Sequence, residues 1–78
     1  MVPFFVLVKC ELGKAYEVAS AIADAEIASE IYSISGQYDL MIKIYVEQSA
    51  DIGRFVEERI HSFDGIRDTY TFITHRAF

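Results

Sequence analysis

Few residues in this chain are able to carry chemistry, and they are scattered. His61 and His75 have the right side chain for a metal ligand or general base, but neither has an Asp, Glu or Cys at ligand spacing. No metal and no cofactor is therefore expected. Cys10 is the only cysteine, and it alternates onto an apolar strand face, where a cysteine behaves as an inert small hydrophobe. Glu57-Glu58-Arg59 reads as the solvated side of a helix. There is no Gly-rich phosphate loop, nucleophile elbow or paired-carboxylate motif. Catalysis is not expected.

One segment stands apart, Gly36-Gln37-Tyr38-Asp39. As a plain turn it is accounted for by Gly36, which tolerates unusual φ, and Asp39, which caps backbone. That reading does not require Tyr38. In the other reading, backbone N–H groups of the loop receive a carboxylate while Asp39 receives an ammonium group. The residues alone leave both open.

The elements that must position this loop follow from periodicity. Phe4 to Cys10 is β-branched and aromatic, bounded by Pro3 and Gly13, and reads as a strand. From Lys14 to Glu26 the period becomes helical, with Ala15, Val18, Ala19, Ile22 and Ala23 on one stripe. Ile31 to Ser35 is a weaker strand and Leu40 to Val46 a strong one. Ser49 or Asp51 can cap a second amphipathic helix marked by Ile52, Phe55, Val56, Ile60 and Phe63, with Gly65 placed to end it. Arg67 to His75 is a fourth strand. The order β-α-β-β-α-β predicts an α+β, ferredoxin-like split βαβ fold, a four-stranded antiparallel sheet with both helices on one face. The 78 residues are expected to form a single domain.

Alternation then assigns the faces. Phe4, Val6, Val8 and Cys10, with Leu40, Ile42, Ile44 and Val46, must lie under the helices. The opposite face should be wet, yet it carries Phe5, Leu7, Met41 and Tyr45. An apolar patch on an open face marks an interface, and these four residues are the expected homodimer contact. Size points the same way, because so short a chain needs a staple, a metal or a partner, and one cysteine cannot form an internal disulfide.

The net charge of −5, from 12 acidic and 7 basic residues, places no basic stripe anywhere along the chain. Direct nucleic-acid binding is not expected, since phosphate neutralisation needs clustered Lys and Arg. Val2 to Val8 is far shorter than the ~20 residues of a membrane span and lacks the marks of a signal peptide. No membrane association is expected, and the lone cysteine suits a cytoplasmic protein.

Gly36-x-Tyr38-Asp39 followed by the Leu40 to Val46 strand and an amphipathic helix, then Phe63-x-Gly65-Ile66-x-x-Thr69-x-Thr71, resembles a known pattern. It is that of the effector-binding RAM domain of the Lrp/AsnC (feast/famine) transcription regulators. The resemblance runs from Phe4 to about His75. It implies a domain that senses an amino acid or related small metabolite, dimerises through its sheet and assembles into rings of dimers up to octamers. Carried over, the effector site falls on Gly36, Gln37, Tyr38, Asp39, Thr69 and Thr71. Family members of full length carry a helix-turn-helix domain first, whereas this sequence opens at Met1 directly onto a strand. It therefore resembles the stand-alone form, whose partners would include full-length Lrp/AsnC regulators. Two alternatives remain, a dimeric α+β barrel enzyme of the monooxygenase kind and a purely structural oligomerisation module.

Overall fold

A computed structural model describes residues 1–78. The chain runs β1 (Val2–Cys10), α1 (Ala15–Asp24), β2 (Glu30–Ser33), β3 (Leu40–Val46), α2 (Ile52–Phe55, continuing into a π-helical turn at Val56–Ile60) and β4 (Ile66–Ile73). The sheet order is β2-β3-β1-β4, antiparallel throughout. This is the expected split βαβ arrangement.

The apolar stripe explains why the layers hold together. The buried core is Phe4, Val6, Val8 and Cys10 from β1, Leu40, Ile42, Ile44 and Val46 from β3, Val18 and Ile22 from α1, and Val56 and Ile60 from the π-helical turn. No polar side chain is buried with them. Ala23 fits the α1 stripe by spacing but is exposed. Phe55 of α2 meets Phe4 edge-on, ring centroids 6.0 Å apart. Asp51 caps α2, its Oδ1 accepting the Arg54 N–H at 3.1 Å. The helix ends on a widened turn, in which the His61 N–H reaches the Val56 carbonyl at 3.0 Å.

Several boundaries differ from expectation by one or two residues, α1 running Ala15–Asp24, β2 Glu30–Ser33 and β4 Ile66–Ile73, and two further differences have plain physical reasons. β1 begins at Val2 and takes in Pro3, opposite Tyr45. A proline beside the strand's first residue gives up only one ladder donor, and its carbonyl still accepts the Thr74 hydroxyl at 2.8 Å. Gly65 does not end α2, whose last turn closes at Ile60. It makes the turn into β4 at φ +91°, and a Cβ there would lie 3.0 Å from Val18 Cγ2 and 3.2 Å from Lys14 Cβ. A glycine at this point lets α1 approach the start of β4.

Candidate functional site

The loop between β2 and β3 sits where the C-terminal end of β1 meets the start of β4. A register shift falls between Lys9 and Cys10, because Cys10 faces Ile66 while Lys9 faces Asp68. Arg67 is thus the extra residue of a β-bulge, which leaves a ladder group without its partner. Asp39 supplies the remedy, its Oδ2 accepting the Cys10 N–H at 2.7 Å. The Asp39 N–H in turn donates to the Val8 carbonyl at 2.9 Å, and the Asp39 carbonyl accepts from Ile34 N–H at 2.9 Å. Lys9 holds the loop from the other side, with Nζ donating to the Gln37 carbonyl at 2.9 Å. Asp39 therefore caps the bulge in a distant strand, and not the backbone of its own turn.

The fixed loop leaves three consecutive amides free. The N–H groups of Gly36, Gln37 and Tyr38 donate to no protein acceptor, and Gly36 adopts φ +116°. Successive unpaired amides at a left-handed residue form a concavity suited to an anion. Tyr38 lies on the open sheet face, 6.2 Å from Tyr70, and Tyr70 is 4.8 Å from Phe72. A pocket of about 320 Å³ opens beside the loop, with Asp39, Cys10, Tyr16 and Arg67 in its walls. Burial, with the Asp39 charge adding to it, pushes the Cys10 thiol above its ordinary range.

Thr69 and Thr71 lie elsewhere. They pair with Val8 and Val6, so they share the helix-side face of those core residues, while Tyr70 and Phe72 share the open face with Leu7 and Phe5. Thr69 Oγ1 is 2.8 Å from His61 Nε2, which ties the end of the π-helical turn to β4. The structure thus brings Gly36, Gln37, Tyr38 and Asp39 together at one corner and sets the two threonines on the other side of the sheet. His61, read from spacing as neither ligand nor base, is the hydrogen-bonding partner of Thr69. No sequence signal pointed to that pair, because the two meet only through the docking of α2 on β4.

The four residues expected at a dimer contact, Phe5, Leu7, Met41 and Tyr45, all lie on the open face. Sequence reasoning missed the rest of that face. Tyr70 and Phe72 extend it across β4 and are 53% and 43% exposed; alternation along β4 carried that signal. Glu30, Tyr32 and Lys43 add a polar cluster at the β2 side. The Tyr32 hydroxyl donates to Glu30 Oε1, and Lys43 Nζ lies 3.4 Å from Glu30 Oε2.

Fold and loop together give a ferredoxin-like α+β domain with three free loop amides at one corner and an aromatic open sheet face. The sequence matches the Lrp/AsnC ligand binding domain over residues 4–78, and the chain belongs to that family. It is 37% identical over 75 residues to the HTH-type transcriptional regulator FL11 of Pyrococcus horikoshii, covering 92% of this chain and 49% of that one. The chain spans about half the length of the curated relatives it matches. Those relatives are transcription regulators and not enzymes. Among solved structures it resembles a Thermus thermophilus protein at TM-score 0.88 and 28% identity, covering all of this chain and 98% of that one. It also resembles FFRP-DM1 at TM-score 0.86 and 31% identity, covering 96% of this chain and all of that one. No helix is long and apolar enough to cross a membrane.

Proposed function

We propose that this ligand-binding domain senses an amino acid or a related small metabolite and couples that binding to self-assembly. The observation that carries the reading is the row of free amides at Gly36, Gln37 and Tyr38, which suits the carboxylate of a zwitterion. The remaining Asp39 oxygen, Oδ1, or loop carbonyls suit its ammonium group. Thr69 and Thr71 lie on the helix side, so they join the site where a second subunit brings its own β4 to this corner. The ligand then sits at a junction between subunits.

Self-assembly begins at the open face, as a homodimer through Phe5, Leu7, Met41 and Tyr45, extended by Tyr70 and Phe72. The aromatic residues of that face are accessible for the contact, Tyr45, Tyr70 and Phe72 being 42%, 53% and 43% exposed. Dimers gather into a ring, an octamer in the fullest form, and the ring or its dimers act on full-length Lrp/AsnC regulators.

The test is a thermal-shift screen against the twenty amino acids at millimolar concentration, with solution mass measured with and without each hit. An amino acid that raises the melting temperature and changes the mass distribution supports the reading, because a ligand shifts an assembly equilibrium by its differential affinity. A flat screen, with assembly intact, leaves the oligomerisation-module reading instead. One observation favours that second reading: Asp39 Oδ2 and Thr69 Oγ1 are already engaged by protein groups.

A further inference from the structure

The open face is not uniformly apolar, and its one ion pair is badly placed for a passive surface. Lys43 sits inside the aromatic patch and not at its edge. Its Nζ lies 5.8 Å from the Phe5 ring centroid and 5.2 Å from that of Tyr45, and its side chain is only 25% exposed. Glu30 faces it directly across the β2–β3 ladder. Both Glu30 oxygens are engaged, Oε1 by the Tyr32 hydroxyl and Oε2 by Lys43. The Tyr32 bond chiefly, and Lys43 behind it, hold the Glu30 carboxyl below its ordinary range against the opposing effect of burial. The carboxylate is therefore an ionised acceptor at neutral pH.

The other charges on this face lie at its end, where Lys9 pairs with Asp68 across the ladder beside the bulge. Lys9 donates to the Gln37 carbonyl at 2.9 Å, and Asp68 Oδ1 accepts the Thr69 N–H at 2.9 Å. Lys43 differs in its place: it lies among Phe5 and Tyr45 inside the patch, where Tyr45 and Glu30 are its polar neighbours and do not fill all three of its donors. A purely apolar surface closing over Lys43 would strip water from an incompletely bonded charge, which is strongly unfavourable. A suitable partner must bring a carboxylate or hydroxyl acceptor to that spot.

We propose that the Glu30–Tyr32–Lys43 cluster selects the chain that seats on the open sheet face, admitting a second copy of this chain and rejecting a face that lacks the same cluster. This rests on the sheet-face dimer proposed above. In such a two-fold pair the second copy's Glu30 is the acceptor required, since a carboxylate keeps lone pairs beyond those its own Tyr32 and Lys43 use, and isologous packing makes the match twice. Rejection comes from like charges and unmet donors and not from lost apolar contact.

The experiment uses subunit mixing read by native mass spectrometry, with the wild type, each single reversal (Glu30→Lys, Lys43→Glu) and the double reversal. Each single reversal should weaken the homodimer at least about tenfold, and the double should recover most of that loss. Mixed dimers of wild type with double reversal should fall about tenfold below the statistical share. Should a single reversal fail to fold by far-ultraviolet dichroism, the neutral double variant Glu30→Gln with Lys43→Met decides instead. It should pair with itself but fall below the statistical share against the wild type, because it offers no opposite charge to the wild-type Lys43 and Glu30; free mixing with the wild type would overturn the proposal. Mixed wild-type and reversed dimers at statistical proportion, or a double reversal that stays monomeric, would overturn the proposal while leaving the sheet-face dimer standing. A wild-type monomer at micromolar concentration would overturn both.

Discussion

Asp39 Oδ2 accepts the Cys10 N–H at 2.7 Å, so a side chain from the β2–β3 loop completes the hydrogen bonding of β1 opposite the bulge in β4. This bond adds a side-chain tie to the β1–β3 and β1–β4 ladders that join the two halves of the fold. It also fixes the corner where the free loop amides lie. Asp39→Ala removes the acceptor and leaves a partly buried N–H without a partner, a loss of about 1–3 kcal/mol. At about 4–8 °C per kcal/mol for a domain of this size, the melting temperature should fall measurably. Asp39→Asn keeps an oxygen in place and should lose less. An unchanged melting temperature for Asp39→Ala would show the bond to be incidental.

The turn into β4 gives a second expectation. At Gly65 the backbone is left-handed, and any Cβ presses on Val18 and Lys14. Gly65→Ala combines φ strain with a close contact in the core, and strain of this kind costs about 1–3 kcal/mol. Gly36→Ala meets no neighbouring atom, so it carries the φ cost alone. Chemical denaturation of both should therefore rank Gly65→Ala as the more damaging. The reverse order would remove close α1 packing as the reason for this glycine.

The thiol of Cys10 is raised first by burial and second by the Asp39 charge. The sign follows. With its folded pKa above its unfolded one, the thiol contributes stability that is fully present below the unfolded pKa. That contribution is lost as pH climbs through the folded pKa. Neutral pH is safe, and the fold should weaken only in the alkaline range. Iodoacetamide should label Cys10 far more slowly in native protein than in urea, because the thiolate is the reactive form. Equal labelling rates in the two states at pH 8 would contradict this.

Much of the architecture was legible in the sequence because the core is built by alternation. β3, Leu40 to Val46, was readable to the residue, since every second side chain is aliphatic and buried. β2 was harder. It has only four residues, and the Glu30 that opens it looks like loop when its partner Lys43 is out of view. The corner loop was legible as a special segment, but the role of Asp39 was not. Its partner, Cys10, lies 29 residues away, and the bulge that frees the Cys10 N–H depends on how β4 docks. The threonines of β4 were legible as a pair on one face. Which face that was could be settled only by pairing with β1, and it placed Tyr70 and Phe72 on the open side.

That placement leads to the last prediction. With Tyr70 and Phe72 added, the open face runs from β3 across β1 to β4, with Leu7 at its centre between Met41 and Tyr70. Leu7→Lys puts a charge in the middle of the patch but touches no core residue, because Leu7 and the core residues Val6 and Val8 point to opposite faces. The two possible effects therefore separate. If the face is a dimer contact, Leu7→Lys buries an unpaired ammonium there, and breaking an interface this way costs several kcal/mol, on the order of a hundredfold or more in dissociation constant. If the face is open to water, the same change is a surface substitution worth no more than about 0.5 kcal/mol. Sedimentation equilibrium with far-ultraviolet dichroism reads both at once. The expected result is a folded or partly destabilised monomer from Leu7→Lys beside a wild-type dimer. Phe72→Ser, toward the far edge of the patch, should weaken the dimer less. Identical masses for wild type and Leu7→Lys would place the contact on another surface, and the aromatic row on β4 would then need a different occupant.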